Sequence, residues 1–239
     1  VEEVYWVGGE PLMYEQHWRY MRRIVELNDG KNTYARYNTN LSRVSYRGID
    51  LYTDILSHLR DWQICASLDG TGRIGEYIRT GLSYDSWLEN FKQGTKIATH
   101  RRQMRIDFTL TLPGLFEIPR IAALAKELEV DVLAKVVFSF SPDIIMSPSA
   151  LPKDILHPWI DEILDDSLLG IALDSSMRDI LIQLKTRPTF EEQWPNEWKN
   201  GLAKGKARVL KLEEIRGDTF TMDDILKENQ EIYEWWQNI

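Results

Sequence analysis

Val4-Tyr5-Trp6-Val7-Gly8-Gly9-Glu10-Pro11-Leu12-Met13 is the stretch that decides how the rest of the chain reads. Its apolar and aromatic residues predict a short buried strand, and two glycines then let the backbone turn tightly without a Cβ clash. Glu10 follows at once. Pro11 fixes its own φ and biases Glu10 towards an extended conformation, which holds the carboxylate at the C-terminal mouth of the strand before a helix begins near Tyr14. Ligands of α/β proteins gather at that mouth. An ordinary strand-to-helix turn also contains Gly-Gly-Glu-Pro, so its meaning depends on the residues downstream.

Working outward, Trp18, Met21, Ile24, Val25 and Leu27 recur at helical spacing over 14–28, and Asp29-Gly30 closes that helix. A second strand over 33–37 ends in Asn38-Thr39-Asn40. The residues 49–59 read as a helix, and the nearly continuous apolar run 62–68 reads as a strand buried on both faces that ends in Asp69-Gly70. A loop carrying Glu76, Arg79 and Gly81 leads to a helix over 84–99. Then come a strand over 104–112, a helix over 117–128 and a strand over 131–140. Five strands, each followed by a helix or a helix-bearing loop, predict an α/β fold with a parallel sheet and right-handed crossovers, closed or partly closed like a barrel.

Near Ser147 the pattern changes to helices punctuated by prolines, which places a boundary between a barrel region, 1–146, and a helical C-terminal extension, 147–239. Thr189-Phe190-Glu191-Glu192 and Thr221-Met222-Asp223-Asp224 have the spacing of capping boxes and predict helix starts.

The 239 residues are 43% hydrophobic and 28% charged, as in a globular protein, and no apolar run approaches a membrane span. The net charge of −8 disfavours a general nucleic-acid binder. Cys65 is the single cysteine, so the chain holds no internal disulfide and no multi-cysteine metal site of its own, and a reducing cytoplasmic setting is expected.

Gly8, Gly9 and Glu10, then Asn38, Thr39 and Asn40, then Ser67 and Asp69 with Arg79 beyond, then Asp107, Thr109 and Thr111, then Ser139 and Ser141 all fall at C-terminal strand ends. Such a rim offers a carboxylate for an ammonium, a guanidinium for a carboxylate, and small hydroxyl or amide groups for a ribose. A zwitterionic amino-acid nucleotide would satisfy all three.

Gly8-Gly9-Glu10-Pro11, Thr39-Asn40 and Ser67-Leu68-Asp69-Gly70 with Arg79 following resemble, in order, the S-adenosylmethionine-binding motifs of radical SAM enzymes. The branch with SPASM or shortened "twitch" C-terminal regions, which modifies peptides and proteins, is the most similar. The resemblance covers about Val4 to Ser141 and implies a partial (β/α)6 barrel lacking its first βα unit. It implies that Gly8, Gly9 and Glu10 bind the methionine amino group, that Ser67 and Arg79 take its carboxylate, and that Asn40 lies near the ribose. Asp69 and Ser139 join the same cofactor-binding rim. The implied chemistry is reductive cleavage of S-adenosylmethionine at a [4Fe-4S] cluster to a 5′-deoxyadenosyl radical. A peptide or protein substrate and an electron donor are the implied partners, with no membrane partner.

This chain departs from the family in having no CxxxCxxC motif upstream of Gly-Gly-Glu. Three thiolates are needed to hold the cluster, and Cys65, placed mid-strand, reads as a buried inert thiol. Because residue 1 is Val and stands just before a strand, the chain reads as a fragment whose full-length form carries the cluster ligands. The alternative is a cluster-free module that binds S-adenosylmethionine or another protein through its tryptophan-rich tail. A barrel for a phosphorylated metabolite ranks below both, because no convincing phosphate loop occurs late in the barrel.

Other features read as structural. Gly70-Thr71-Gly72-Arg73-Ile74-Gly75 matches G-x-G-x-x-G, but Gly81 interrupts the helix that should start at once, so a nicotinamide or flavin site is not expected. His17, His58, His100 and His157 form no metal spacing and read as solvated or capping. Lys199, Lys204, Lys206, Arg208 and Lys211 read as a solvated helix face. Trp194, Trp198, Trp235 and Trp236 read as packing for the C-terminal helices.

Overall fold

The computed structural model describes residues 1–27, 29–137, 139–165 and 170–239. Its strands are β1 (Glu3–Trp6), β2 (Tyr34–Thr39), β3 (Ser45–Tyr46), β4 (Ile49–Asp50), β5 (Asp61–Ser67), β6 (Met104–Leu110) and β7 (Asp131–Val136). Helices α1 (Glu15–Glu26), α2 (Leu51–Asp54), α3 (Gly72–Ile78), α4 (Tyr84–Ile97) and α5 (Ile118–Glu127) alternate with them, and α6 (Lys153–Leu164) opens the C-terminal helical stretch. The result is an α/β fold on a mostly parallel five-stranded sheet in the order β1-β2-β5-β6-β7, with β3 and β4 pairing apart from it.

Register places the strand ends. Trp6 pairs with Tyr37, Thr39 with Ala66 and Ser67 with Asp107, all in parallel ladders, so β1, β2, β5 and β6 bring their C-terminal ends to one edge. Each such ladder requires a crossover, and the helices supply it.

The chain divides into two compact units. The first comprises 1–68, 81–107 and 124–133. Its core joins Ala35, Tyr37, Ile64, Ala66 and Ile106 of the strands to Trp18, Met21, Trp87 and Phe91 of the helices, all fully or nearly fully buried. Each such large side chain contributes about 1.5–3 kcal/mol by leaving water. Gly94 lets α4 lie close, since a Cβ there would fall 2.6 Å from the Met104 sulfur and 2.8 Å from the Tyr52 ring. The second unit comprises 69–80, 108–123 and 134–239. It buries Phe108, Leu110, Leu115 and Ile121 together with Leu156, Ile160, Leu181, Leu184, Phe190, Ile225, Ile232 and Trp236.

Three segments differ from the sequence expectation, the first being the strand expected over 131–140, which ends at Val136. The start of 49–59 is a hairpin: β3 and β4 flank a two-residue turn in which Arg47 and Gly48 take φ of 50° and 79°, and α2 follows on the Asp50 cap. Left-handed φ at both turn positions is what joins antiparallel strands with native twist. The stretch expected as a loop after Gly70 holds α3, whose start depends on a group far away in sequence. The capping boxes at Thr189 and Thr221 both form, each with its acid three residues on.

Candidate functional site

Within the first unit, the turn after β1 is held by Glu10. Gly8 and Gly9 adopt φ of 87° and 57°, conformations that favour glycine, and they swing the backbone out of the strand. Glu10 Oε1 accepts from the Thr39 hydroxyl at 2.6 Å and from the Leu12 amide at 3.1 Å, while Oε2 accepts from the Asn40 amide at 2.6 Å. The carboxylate therefore clamps the β1 turn to the end of β2. Two bonds fill Oε1, and Oε2 keeps a lone pair free. Among the described residues no cation lies within ion-pair distance of Glu10. Asn40 also turns its own Oδ1 onto the Ser42 amide at 2.9 Å. The Tyr14 hydroxyl occupies the space where a side chain at Gly9 would stand, 2.8 Å from a built Cβ.

In the second unit, Asp69 and Arg79 meet. Asp69 Oδ1 accepts from the Thr109 amide at 2.9 Å, and Oδ2 lies 2.7 Å from Arg79 Nε. That contact is an ion pair without the angle of a hydrogen bond, so Nε has no hydrogen-bond partner although its charge is met. Asp69 is buried while the Arg79 side chain is 30% exposed, which leaves the outer guanidinium edge accessible.

Glu117, which the sequence offered only as a helix start, is the other anchor of this unit. It is fully buried, and its Oε2 accepts from the Thr71 amide at 2.5 Å and the Thr71 hydroxyl at 2.7 Å. Its Oε1 accepts from Arg120 at 2.6 Å, and this bond raises the already high pKa of the guanidinium. The same contacts bear on the G-x-G-x-x-G match. Contrary to the expectation, α3 does start at once, at Gly72, but the Glu117 carboxylate sits on the residue that precedes it. A pyrophosphate would meet that charge. Gly70 and Gly75 serve contact with each other: a Cβ on Gly75 would fall 2.0 Å from the Gly70 carbonyl oxygen.

The remaining candidates stand separately. Ser67 closes β5 in register with Asp107, and Ser139 lies beyond the end of β7. The structure thus joins Glu10 to Asn40 in one unit, and Asp69 to Arg79 in the other. Cys65 is buried and free of any disulfide. Among the described residues no group of three or more His, Cys, Asp or Glu side chains could hold a metal. No helix among them is long and apolar enough to cross a membrane.

His17 departs from the solvated role expected of it. It is fully buried among Trp6, Trp18 and Tyr37, with Nε2 3.1 Å from the Tyr37 hydroxyl, Nδ1 unpartnered, and its pKa lowered by burial to about 4. The signal was its place one turn before Met21 on the apolar face of α1.

In the C-terminal helices, Trp236 is fully buried, donates to Asp223 at 2.7 Å and carries Lys206 over its ring, while Trp194 packs edge-on to Phe190. Arg208 and Lys211 pair with Asp143 and Glu214. No family model and no curated protein matches the chain.

Proposed function

We propose that the chain is the S-adenosylmethionine-binding body of a radical SAM enzyme of the SPASM or twitch type, built on a partial (β/α)6 barrel. The observation that carries this reading is the Glu10 carboxylate: fixed by three neutral donors at the C-terminal end of β1, left without a cation, and open at one lone pair. An ammonium is the ligand that such a group lacks, because a charge-assisted bond there needs no rearrangement. Gly8 keeps its side of the approach clear, with no atom within 4 Å of a Cβ built there. In the second unit the accessible edge of Arg79, whose charge is partly met by Asp69, is taken by itself as a carboxylate-recognising group.

The iron-sulfur cluster does not fit these residues. Its three thiolates have one buried counterpart here, Cys65, so these 239 residues do not supply the cluster ligands. No step of the radical chemistry is derived from this chain. Its own part is to bind and orient the amino-acid end of S-adenosylmethionine, and a peptide or protein is the proposed substrate class.

Titration calorimetry with S-adenosylmethionine tests the reading. The chain should bind it, and Glu10→Gln should weaken binding at least about tenfold, the loss expected for one charge-assisted bond. Arg79→Lys should weaken it less, since charge persists but the fork is lost. Binding indifferent to both substitutions would remove the ligand roles and with them the reading.

A further inference from the structure

We propose a second site on the first unit, unconnected with the Glu10 turn: an open cationic groove between α1 and the β3-β4 hairpin that takes a short acidic peptide segment. The groove encloses about 570 Å³ and is lined by α1 residues, Trp18 among them, and by Tyr46, Arg47 and Ile49 of the hairpin. Four arginines, Arg19, Arg22, Arg23 and Arg47, face two carboxylates, Glu15 and Glu26, so the lining carries a net charge of +2 in a chain of net charge −8. The volume lies within the range of ordinary ligand sites.

Pairing inside the groove is incomplete. Arg47 bonds Glu15 at 3.0 Å, and Arg22 and Arg23 share Glu26 at 2.9 and 3.5 Å. Arg19 has no carboxylate among the described residues; it donates to the Tyr20 hydroxyl at 3.2 Å and lies 5.0 Å from that ring's centroid. One guanidinium therefore meets no carboxylate, and two others divide a single acid. A carboxylate entering between them gains the planar two-bond contact that arginine makes well.

The aromatic rings decide against nucleic acid. A single strand needs open aromatic faces for base stacking. Here Trp18 stacks on Tyr46 at 5.9 Å, Arg43 and Arg47 lie 5.7 and 5.0 Å from the Tyr46 centroid, and Arg19 covers Tyr20. Tyr20 alone stays half exposed, a single ring rather than the succession of faces that a strand needs, beside several guanidinium edges. Glu15 and Glu26 also stand at opposite ends of α1, about 16 Å apart at the helical rise. A continuous polyanion would run over both, whereas a segment with one or two carboxylates fits the cationic window between them.

Fluorescence anisotropy of the full chain with a labelled peptide Leu-Glu-Phe-Asp-Glu-Leu tests this site. Saturable binding should weaken at least about tenfold in Arg19→Glu/Arg22→Glu, and at least threefold in Arg19→Glu alone, which leaves every ion pair of the groove in place. Lys204→Glu, on a helix of the other unit, should leave binding unchanged. Absence of saturable binding, indifference to the charge reversals in variants whose melting is normal, or tighter binding of a labelled oligothymidylate would each overturn the proposal.

Discussion

Glu10 and Glu117 each hold a turn through backbone amides and a threonine hydroxyl, yet Glu117 is fully buried and ends on the Arg120 guanidinium, whereas Glu10 is half-buried and meets only neutral donors. One set of contacts is closed and the other is open by one charge. A buried carboxylate with its cation in place is a structural part that no ligand can improve. A carboxylate of fixed geometry with its charge unmet has a position to offer. Burial and pairing, more than the presence of an acid near glycines, therefore separate a fold anchor from a carboxylate whose charge is unmet.

The contrast can be broken most severely at Gly75. Gly75→Ala puts a methyl 2.0 Å from the Gly70 carbonyl oxygen, against backbone that cannot swing aside, and should cost at least about 3 kcal/mol in a denaturant titration. Glu117→Ala strands the Thr71 donors and the Arg120 charge and should cost about 3 kcal/mol. A loss below about 1 kcal/mol would show that Glu117 is no anchor.

His17 sharpens the comparison through pH. Its folded pKa, lowered from 6.5 to about 4, means that the unfolded chain takes up a proton first. Stability should be full above 6.5, fall as the pH drops, and stop falling on this account below 4. The loss at pH 5 relative to pH 8 should be about 2 kcal/mol, and His17→Phe should flatten that part of the curve. The smallest stability effect belongs to Glu10→Gln, about 1 kcal/mol, because the amide oxygen can still accept part of the clamp. A larger loss would move Glu10 into the company of Glu117.

Strand and helix alternation was legible because the apolar runs of β5 and β6 and the stripe of α1 have unmistakable periods. The capping boxes were legible because donor and acceptor lie three residues apart. The α3 helix was not, since the carboxylate that organises its start comes from Glu117, 46 residues later, while Gly70, Gly72, Gly75 and Gly81 all argue locally for a loop. The hairpin hid behind Ile49, although Arg47-Gly48 between short alternating runs is a turn signal. Gly8, Gly9, Glu10 and Asn40 were found together because all are adjacent to strand ends. That Arg79 spends part of its charge on Asp69 was invisible, since either residue alone reads as a ligand or a turn.

The two compact units are threaded through each other along the chain, which passes between them after residues 68, 80, 107, 123 and 133. During synthesis neither can finish alone: the first waits for residues 124–133, by which time the second already has 69–80 and 108–123 outside the ribosome without their helical partners. Exposed apolar surface on those early segments is the hazard of such an order. A single proteolytic nick would likewise release no autonomous piece, so limited digestion of the native protein should yield fragments that remain together until denaturant is added.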